Sequence, residues 1–222
     1  VIVRDTIVPP SVAITTPLSG ENKSGTFSIT ATATDDRSGI NSILINITQG
    51  VYSSSGNSPY SWDSTAVADG PINITATAYD KAGNSNSTTI FIDVDNTAPA
   101  IYFNSPAVGN YSLEQIINIT ALDSHPAKIT LYINGTPTDF NFPEANYTLS
   151  EGNYSVYANA TDTFGNSNVT ETRNIIVDKT PSVSSDDYNG NWHNADFNVV
   201  ITATDELTSV AYINYSYNSG AI

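Results

Sequence analysis

One tract of this sequence is written twice. Trp62 to Asn84 reads WDSTAVADGPINITATAYDKAGN, and Glu151 to Asn166 reads EGNYSVYANATDTFGN. In the first copy Ile72, Ile74, Ala76 and Ala78 alternate with Asn73, Thr75, Thr77 and Tyr79. Successive side chains of a strand point to opposite faces, so this period of two predicts a strand with one apolar and one polar face. Asp69-Gly70 reads as the turn into that strand and Asp80 to Asn84 as the turn out of it. Thr89 to Val94, with Ile90, Ile92 and Val94 at the same spacing, reads as the returning strand. Asp162 follows Asp80 by 82 residues, and Asn166 follows Asn84 by the same interval. A period of that size within 222 residues means a tandem of small domains.

Short alternating runs with turn signals between them continue along the chain, and no capped pattern of period 3.6 interrupts them. The predicted fold class is all-β, a tandem of β-sandwich repeats. Val1 to Arg4 matches Ile92 to Val94 and Ile175 to Val177, so residues 1–8 read as the last strand of a preceding repeat plus a linker. The first full repeat covers 9–95. Ser11 to Thr16 is its first strand, and Phe27, Ile29, Ala31 and Ala33 line the second. Ile43, Ile45 and Ile47 line the third, Gly50 to Pro59 is a Ser/Gly-rich loop, and Trp62 is the bulky core plug. The second repeat covers 96–178, with Ile117, Ile119 and Ala121, then Ile129, Leu131 and Ile133, then Tyr154, Val156, Ala158 and Ala160 facing inward. Asn134-Gly135 between alternating runs predicts a tight hairpin. The third repeat, 179–222, places Phe197, Val199, Ile201 and Ala203 on a second strand and Ser209 to Tyr217 on a third, and is incomplete. A chain with such ends reads as a processed product or fragment, continued in the native polypeptide or completed by strands of a neighbouring subunit.

The W-D-x-T, D-G and A-x-A-x-D-x-x-G-N elements of these tracts resemble the bacterial and archaeal immunoglobulin-like repeats of cell-surface proteins. The resemblance implies tandem immunoglobulin-like sandwiches that act as extracellular spacers without chemistry of their own. Composition agrees with an extracellular prokaryotic origin. There is no cysteine, which excludes a disulfide framework, a Cys-based metal site and a thiol nucleophile. Seven Lys plus Arg stand against 22 Asp plus Glu, a net charge of −15. Nucleic acid, which needs a basic stripe, is excluded as a partner, and an anionic membrane surface is disfavoured. No apolar run has the length of a membrane span.

The densest functional signal is the N-glycosylation sequon. Asn22, Asn46, Asn73, Asn86, Asn110, Asn118, Asn134, Asn146, Asn153, Asn159, Asn168 and Asn214 each open N-x-S/T with x not Pro. That is 12 of 25 asparagines, where chance placement in so Ser/Thr-rich a chain gives about six. The bland alternative is that strands of alternating Ile and polar residues generate the triplet by themselves. Asn46, Asn73, Asn118 and Asn159 fall on outward strand positions, where a glycan clears the core. Dense sequons on a cysteine-free prokaryotic repeat point to an archaeal source.

Asp35, Asp80, Asp123, Asp162 and Asp205 recur at strand ends. Their ordinary role is to accept backbone N–H groups in Asx-type turns. The alternative is Ca²⁺, placed near Asp93 and Asp95, because Asp93-Val94-Asp95-Asn96-Thr97-Ala98-Pro99 is similar to the cadherin interdomain linker. The turn-capping reading is preferred, and no cofactor is otherwise implied. His125 and His193 lie in different repeats without ligand spacing, and no nucleophile elbow or phosphate loop occurs. No catalytic residue is assigned.

The sequence thus predicts a structural, extracellular surface glycoprotein: a stalk, surface-layer or filament building block. Its expected partners are N-linked glycans and other copies of itself or other cell-surface proteins. The alternative is a carbohydrate-binding or adhesive accessory module of a larger secreted protein. A planar cluster of exposed Tyr or Trp on one sheet face would favour that alternative, and Tyr79 and Tyr157 read as outward on equivalent strands.

Overall fold

A computed structural model describes residues 11–191, 193 and 195–215. They form two compact units, one of residues 11–100 with 123–127 and 161–168, the other of 101–122, 128–160 and the residues from 169 onward. The strand expected at Val1 to Arg4 and the strand end expected at Tyr217 lie outside the described residues.

The first unit contains strands β1 (Ser11–Thr16), β2 (Asn22–Lys23), β3 (Thr26–Thr34), β4 (Ile40–Gln49), β5 (Tyr52–Asn57), β6 (Tyr60–Asp63), β7 (Gly70–Asp80) and β8 (Ser85–Val94). One sheet has the order β1-β3-β6 and the other β2-β8-β7-β4-β5. β2 runs parallel to β8, and the remaining pairs of the unit are antiparallel. In the β7–β8 ladder Ile72 faces Ile92 and Ile74 faces Ile90. The alternation read from the sequence therefore delivers Ile72, Ile74, Ala76, Ile92 and Val94 to one core, where Ile29, Ala31, Ile45 and Ile47 meet them. Trp62 plugs this core as expected, 3% exposed. Its Nε1 donates to the Tyr52 hydroxyl at 3.1 Å, and Phe27 meets its ring edge-on. A 3₁₀ turn at Ser64–Ala66 is the one helical piece among the described residues.

The Gly50 to Pro59 tract corrects the expectation of a loop. Tyr52 to Asn57 is an edge strand, in register with β4 from Gln49–Tyr52 to Leu44–Asn57. Ser, Gly and Asn have little strand propensity, but propensity yields to packing. The Ser54 hydroxyl bonds that of Tyr60 at 2.7 Å. Gly56 is there because a Cβ would stand 2.2 Å from the Tyr60 ring.

The second sandwich contains β9 (Ala100–Ser105), β10 (Gly109–Tyr111), β11 (Gln115–Leu122), β12 (Pro126–Ile133), β13 (Thr136–Phe140), β14 (Glu144–Leu149), β15 (Gly152–Asp162), β16 (Ser167–Val169) and β17 (Arg173–Val177). β14-β11-β9 form one sheet. β10-β17-β15-β12-β13 form the other, with β16 beside β15. Here too a short strand, β10, lies parallel to the last one, β17. The core holds Phe103, Ile117, Ile119, Ile129, Leu131, Leu149, Val156 and Ile175. The predicted hairpin is present. Ile133 pairs with Thr136, leaving Asn134 at φ 50° and Gly135 at φ 81°, the mirror-image turn that matches strand twist.

Beyond Val177 the chain forms β18 (Val183–Asp186) and β19 (Ile201–Thr204), paired antiparallel. This is less strand than expected. Phe197 and Val199 lie outside β19 with exposures of 49% and 42%. Residues 209–215, expected as a third strand, contain none. Alternation makes a stable strand only where a second layer covers the apolar face, and every residue of β18 is exposed.

Candidate functional site

Two sets of side chains carried the functional expectations: the turn carboxylates and the surface asparagines. The carboxylates act as turn caps. Asp80 Oδ1 accepts the N–H groups of Ala82 and Asn84, both at 2.8 Å, and its Oδ2 accepts Asn84 Nδ2 at 2.7 Å. Asp162 repeats this set. Oδ1 accepts from the N–H groups of Phe164 and Asn166 at 2.9 and 2.8 Å, and Oδ2 accepts Asn166 Nδ2 at 2.7 Å. Asp35 binds the N–H groups of Arg37 and Gly39, Asp123 that of His125, and Asp205 those of Leu207 and Thr208. Burial pushes the Asp80 carboxyl up, and the Asn84 amide with the loop N–H groups outweighs it, so the group sits below its usual range. Asp35 is depressed in the same way, burial being outweighed by the N–H groups of Gly39, Arg37 and Ser38.

Asp95 is the buried member of the set. Its Oδ1 accepts the Thr97 N–H at 2.9 Å, and its Oδ2 meets His125 Nδ1 at 2.6 Å. Asn166 Nδ2 donates to the Asp95 carbonyl at 2.8 Å. The His125 ring lies 4.7 Å from that of Phe164, whose carbonyl accepts Ser24 Oγ. The bond to Asp95 raises the His125 pKa; desolvation opposes it, and the charges of Asp95, Asp93 and Asp123 add to it. Sequence spacing gave no hint of this pair, because 30 residues separate the partners and each reads as a turn residue.

Asp95, Asp123 and His125 bring ligand-type atoms within 4.8 Å of one another. A Ca²⁺ seat takes six to eight oxygens, whereas this group offers an imidazole already bonded to one of its two carboxylates. It reads as a hydrogen-bonded carboxylate–imidazole pair. Asp93, the other residue of the Ca²⁺ expectation, holds a buried Oδ1 without a protein hydrogen-bond partner. His193 stands apart, its ring against that of Phe197.

The sequon asparagines all lie outside the cores. Asn22, Asn73, Asn110, Asn134, Asn146, Asn153, Asn168 and Asn214 are exposed, and Asn46, Asn86, Asn118 and Asn159 are half-buried. Their neighbours differ. Asn118 and Asn146 face each other across β11 and β14, and Asn118 Nδ2 donates to Asn146 Oδ1 at 2.6 Å. Asn104 Nδ2 in turn donates to Asn118 Oδ1. Asn134 is held at both ends: Nδ2 donates to the Asn153 carbonyl at 3.1 Å and Oδ1 accepts the Ser155 N–H at 2.8 Å.

Of the tyrosines considered as a sugar platform, Tyr157 stacks on Tyr132 at 4.5 Å and 6°. Each ring spends one face on the other, which does not make a flat aromatic floor. Tyr79 is 38% exposed on β7.

Two facing, mainly antiparallel sheets around one core define an immunoglobulin-like sandwich. Family models agree. One described as Bacterial Ig domain matches residues 10–76, and one described as Bacterial Ig-like domain (group 3) matches 138–216. The chain is built from prokaryotic immunoglobulin-like repeats. No curated protein matches it. Among solved structures, the fibronectin(III)-like modules of Clostridium thermocellum CbhA are similar at 22% identity and a TM-score of 0.43, over 75% of this chain and 94% of that one. A tetra-tandem repeat from the extending region of a large adhesion protein is 18% identical with a TM-score of 0.36, over 87% of this chain and 61% of that one. The Bacteroides ovatus protein SGBP-B, solved with a mixed-linkage heptasaccharide, is 13% identical with a TM-score of 0.27, over 74% of this chain and 47% of that one. Repeats of this family are typical of cell-surface or extracellular proteins, and such domains are typically non-catalytic. Among the described residues no helix is long and apolar enough to cross a membrane.

Proposed function

We propose that this chain is a spacer segment of an extracellular surface glycoprotein, a stalk, surface-layer or filament building block whose outward asparagines carry N-linked glycans. The observation that carries this reading is the duplicated loop. Asp80 with Asn84 and Asp162 with Asn166 satisfy the same backbone donors with the same atoms. Their polar groups are spent on holding the turns, and repetition of a self-satisfied turn is what a distance-setting module requires. The outward strand positions support it: hydroxyls pair with one another, as Thr75 with Thr89 and Thr15 with Thr30, both at 2.8 Å. A hydroxyl-rich surface with few charged residues gains solvation from glycans.

Intact mass of the native protein before and after deglycosylation tests the reading. A mass loss supports it; an unchanged mass, with no sugar on any sequon peptide, removes the glycoprotein half. Titration with soluble polysaccharides separates the spacer from a sugar-binding module, because saturable binding at micromolar concentrations would replace the spacer reading.

A further inference from the structure

The twelve sequons are equal in sequence and unequal in structure. Transfer of a glycan forms a bond between Asn Nδ2 and the anomeric carbon of a sugar carried on a phosphate-linked donor. The phosphate leaves with the bonding pair, and Nδ2 gives up one of its two protons to a base. Nδ2 must therefore turn out of its hydrogen bonds and present itself to the donor. Asn118 Nδ2 is committed to Asn146 Oδ1 at 2.6 Å, and its own oxygen is held by Asn104. Asn134 is clamped to the Asn153 carbonyl and the Ser155 N–H. Asn168 Nδ2 donates to the Pro99 carbonyl at 3.1 Å.

Asn22, Asn73, Asn110 and Asn153 are exposed, and their side-chain amides make no hydrogen bond among the described residues. Asn146 is exposed too, and only its oxygen is engaged, leaving Nδ2 open. Asn118 and Asn146 are also direct cross-strand partners, a separation of about 5 Å, so two glycans at once would collide. The open amide of the pair belongs to Asn146.

We propose that glycans occupy Asn22, Asn73, Asn110, Asn146 and Asn153, while the hydrogen-bonded amides of Asn118, Asn134 and Asn168 stay bare. Transfer then follows folding, and the fold selects the sites. This rests on the glycoprotein reading above. Glycopeptide mapping of protein from its native source should show occupancy at least about tenfold higher in the open set, a ratio that one or two hydrogen bonds can impose. Sugar on both sets at equal occupancy overturns the inference and leaves the glycoprotein reading standing. Sugar on no sequon overturns both. An Asn146→Ala protein expressed in the same host isolates the cause: Asn118 loses its acceptor and should become occupied. A folded Asn146→Ala protein with Asn118 still bare would overturn hydrogen bonding as the selector.

Discussion

Asp95 and Asp178 occupy the same place at the ends of two last strands, one residue after β8 and one after β17. Each turns one oxygen onto the N–H two residues ahead, Thr97 at 2.9 Å and Thr180 at 3.1 Å. The second oxygens part company. Asp95, buried, meets an imidazole, His125 Nδ1 at 2.6 Å. Asp178, half-buried, accepts the hydroxyl of Thr208 at 2.7 Å. The backbone device is copied between repeats and the lock placed on it is not. One lock is an imidazole whose pKa is raised; the other is a hydroxyl. The cores differ in the same spirit. The first is filled by Trp62 with Phe27 and Tyr52 around it. The second has no tryptophan, and β14 brings Ala145 and Leu149 into it.

The sharpest way to break this comparison is at the core. Trp62→Ala leaves a large cavity and strands the Tyr52 hydroxyl, and the expected loss is ~3–5 kcal/mol. Leu149→Ala in the second core should cost about 2–5 kcal/mol. Chemical denaturation of the two variants should give two different melting units if the sandwiches unfold separately. A loss below about 1 kcal/mol for Trp62→Ala would contradict its place in the core.

Next come the locks. Asp95→Ala removes two hydrogen bonds from a buried carboxylate, an expected loss of ~2–3 kcal/mol. Asp178→Ala removes the corresponding bonds at a wetter place, and about 1–2 kcal/mol is expected. Equal losses would mean that burial and the imidazole add nothing. Thr208→Val keeps shape and deletes one hydroxyl that bonds both Asp178 Oδ2 and Asp205 Oδ1. It should cost ~0.5–1.5 kcal/mol, read as a small shift in denaturation midpoint without a change in slope.

What the sequence disclosed and what it withheld follow from how local each interaction is. Alternation in Ile72 to Ala78 and Ile129 to Ile133 is local, so the inner faces were legible. So were the Asx turns, whose acceptor and donors lie within four residues of each other. β5 was illegible because Ser-Ser-Ser-Gly-Asn has no apolar face to betray a strand. Its pairing comes from β4, and Gly56 answers to Tyr60. The stretch from Phe197 to Tyr215 misled in the opposite direction: its alternation is real, but only Ile201–Thr204 forms a strand. The His125–Asp95 pair was invisible because 30 residues separate its members and neither lies in a ligand motif. For the sequons, the triplet is legible and the state of each amide is not, because cross-strand register decides it.

The smallest expected effect is the one that titrates. Asp95 beside His125 raises the imidazole pKa above its ordinary value, with Asp93 and Asp123 adding to the field. Asp69 stands close enough for His125 to help depress its carboxyl, after the larger effects of the Thr97 hydroxyl and the Asn96 N–H. A histidine whose folded pKa exceeds its unfolded value, about 6.5, stabilises the fold fully below that unfolded value. The contribution fades as pH rises through the raised, folded pKa. The His125 side chain is 36% exposed, so solvent screens the pair and the effect is small. Thermal melts from about pH 6 to pH 9 should therefore show a modest decline for the wild-type chain. His125→Asn should flatten that decline, keeping a side chain able to bond Asp95 but unable to titrate. Thr208→Val should leave the decline intact, since a threonine hydroxyl does not titrate across this range. A His125→Asn variant with an undiminished slope would show that the two locks differ in geometry alone.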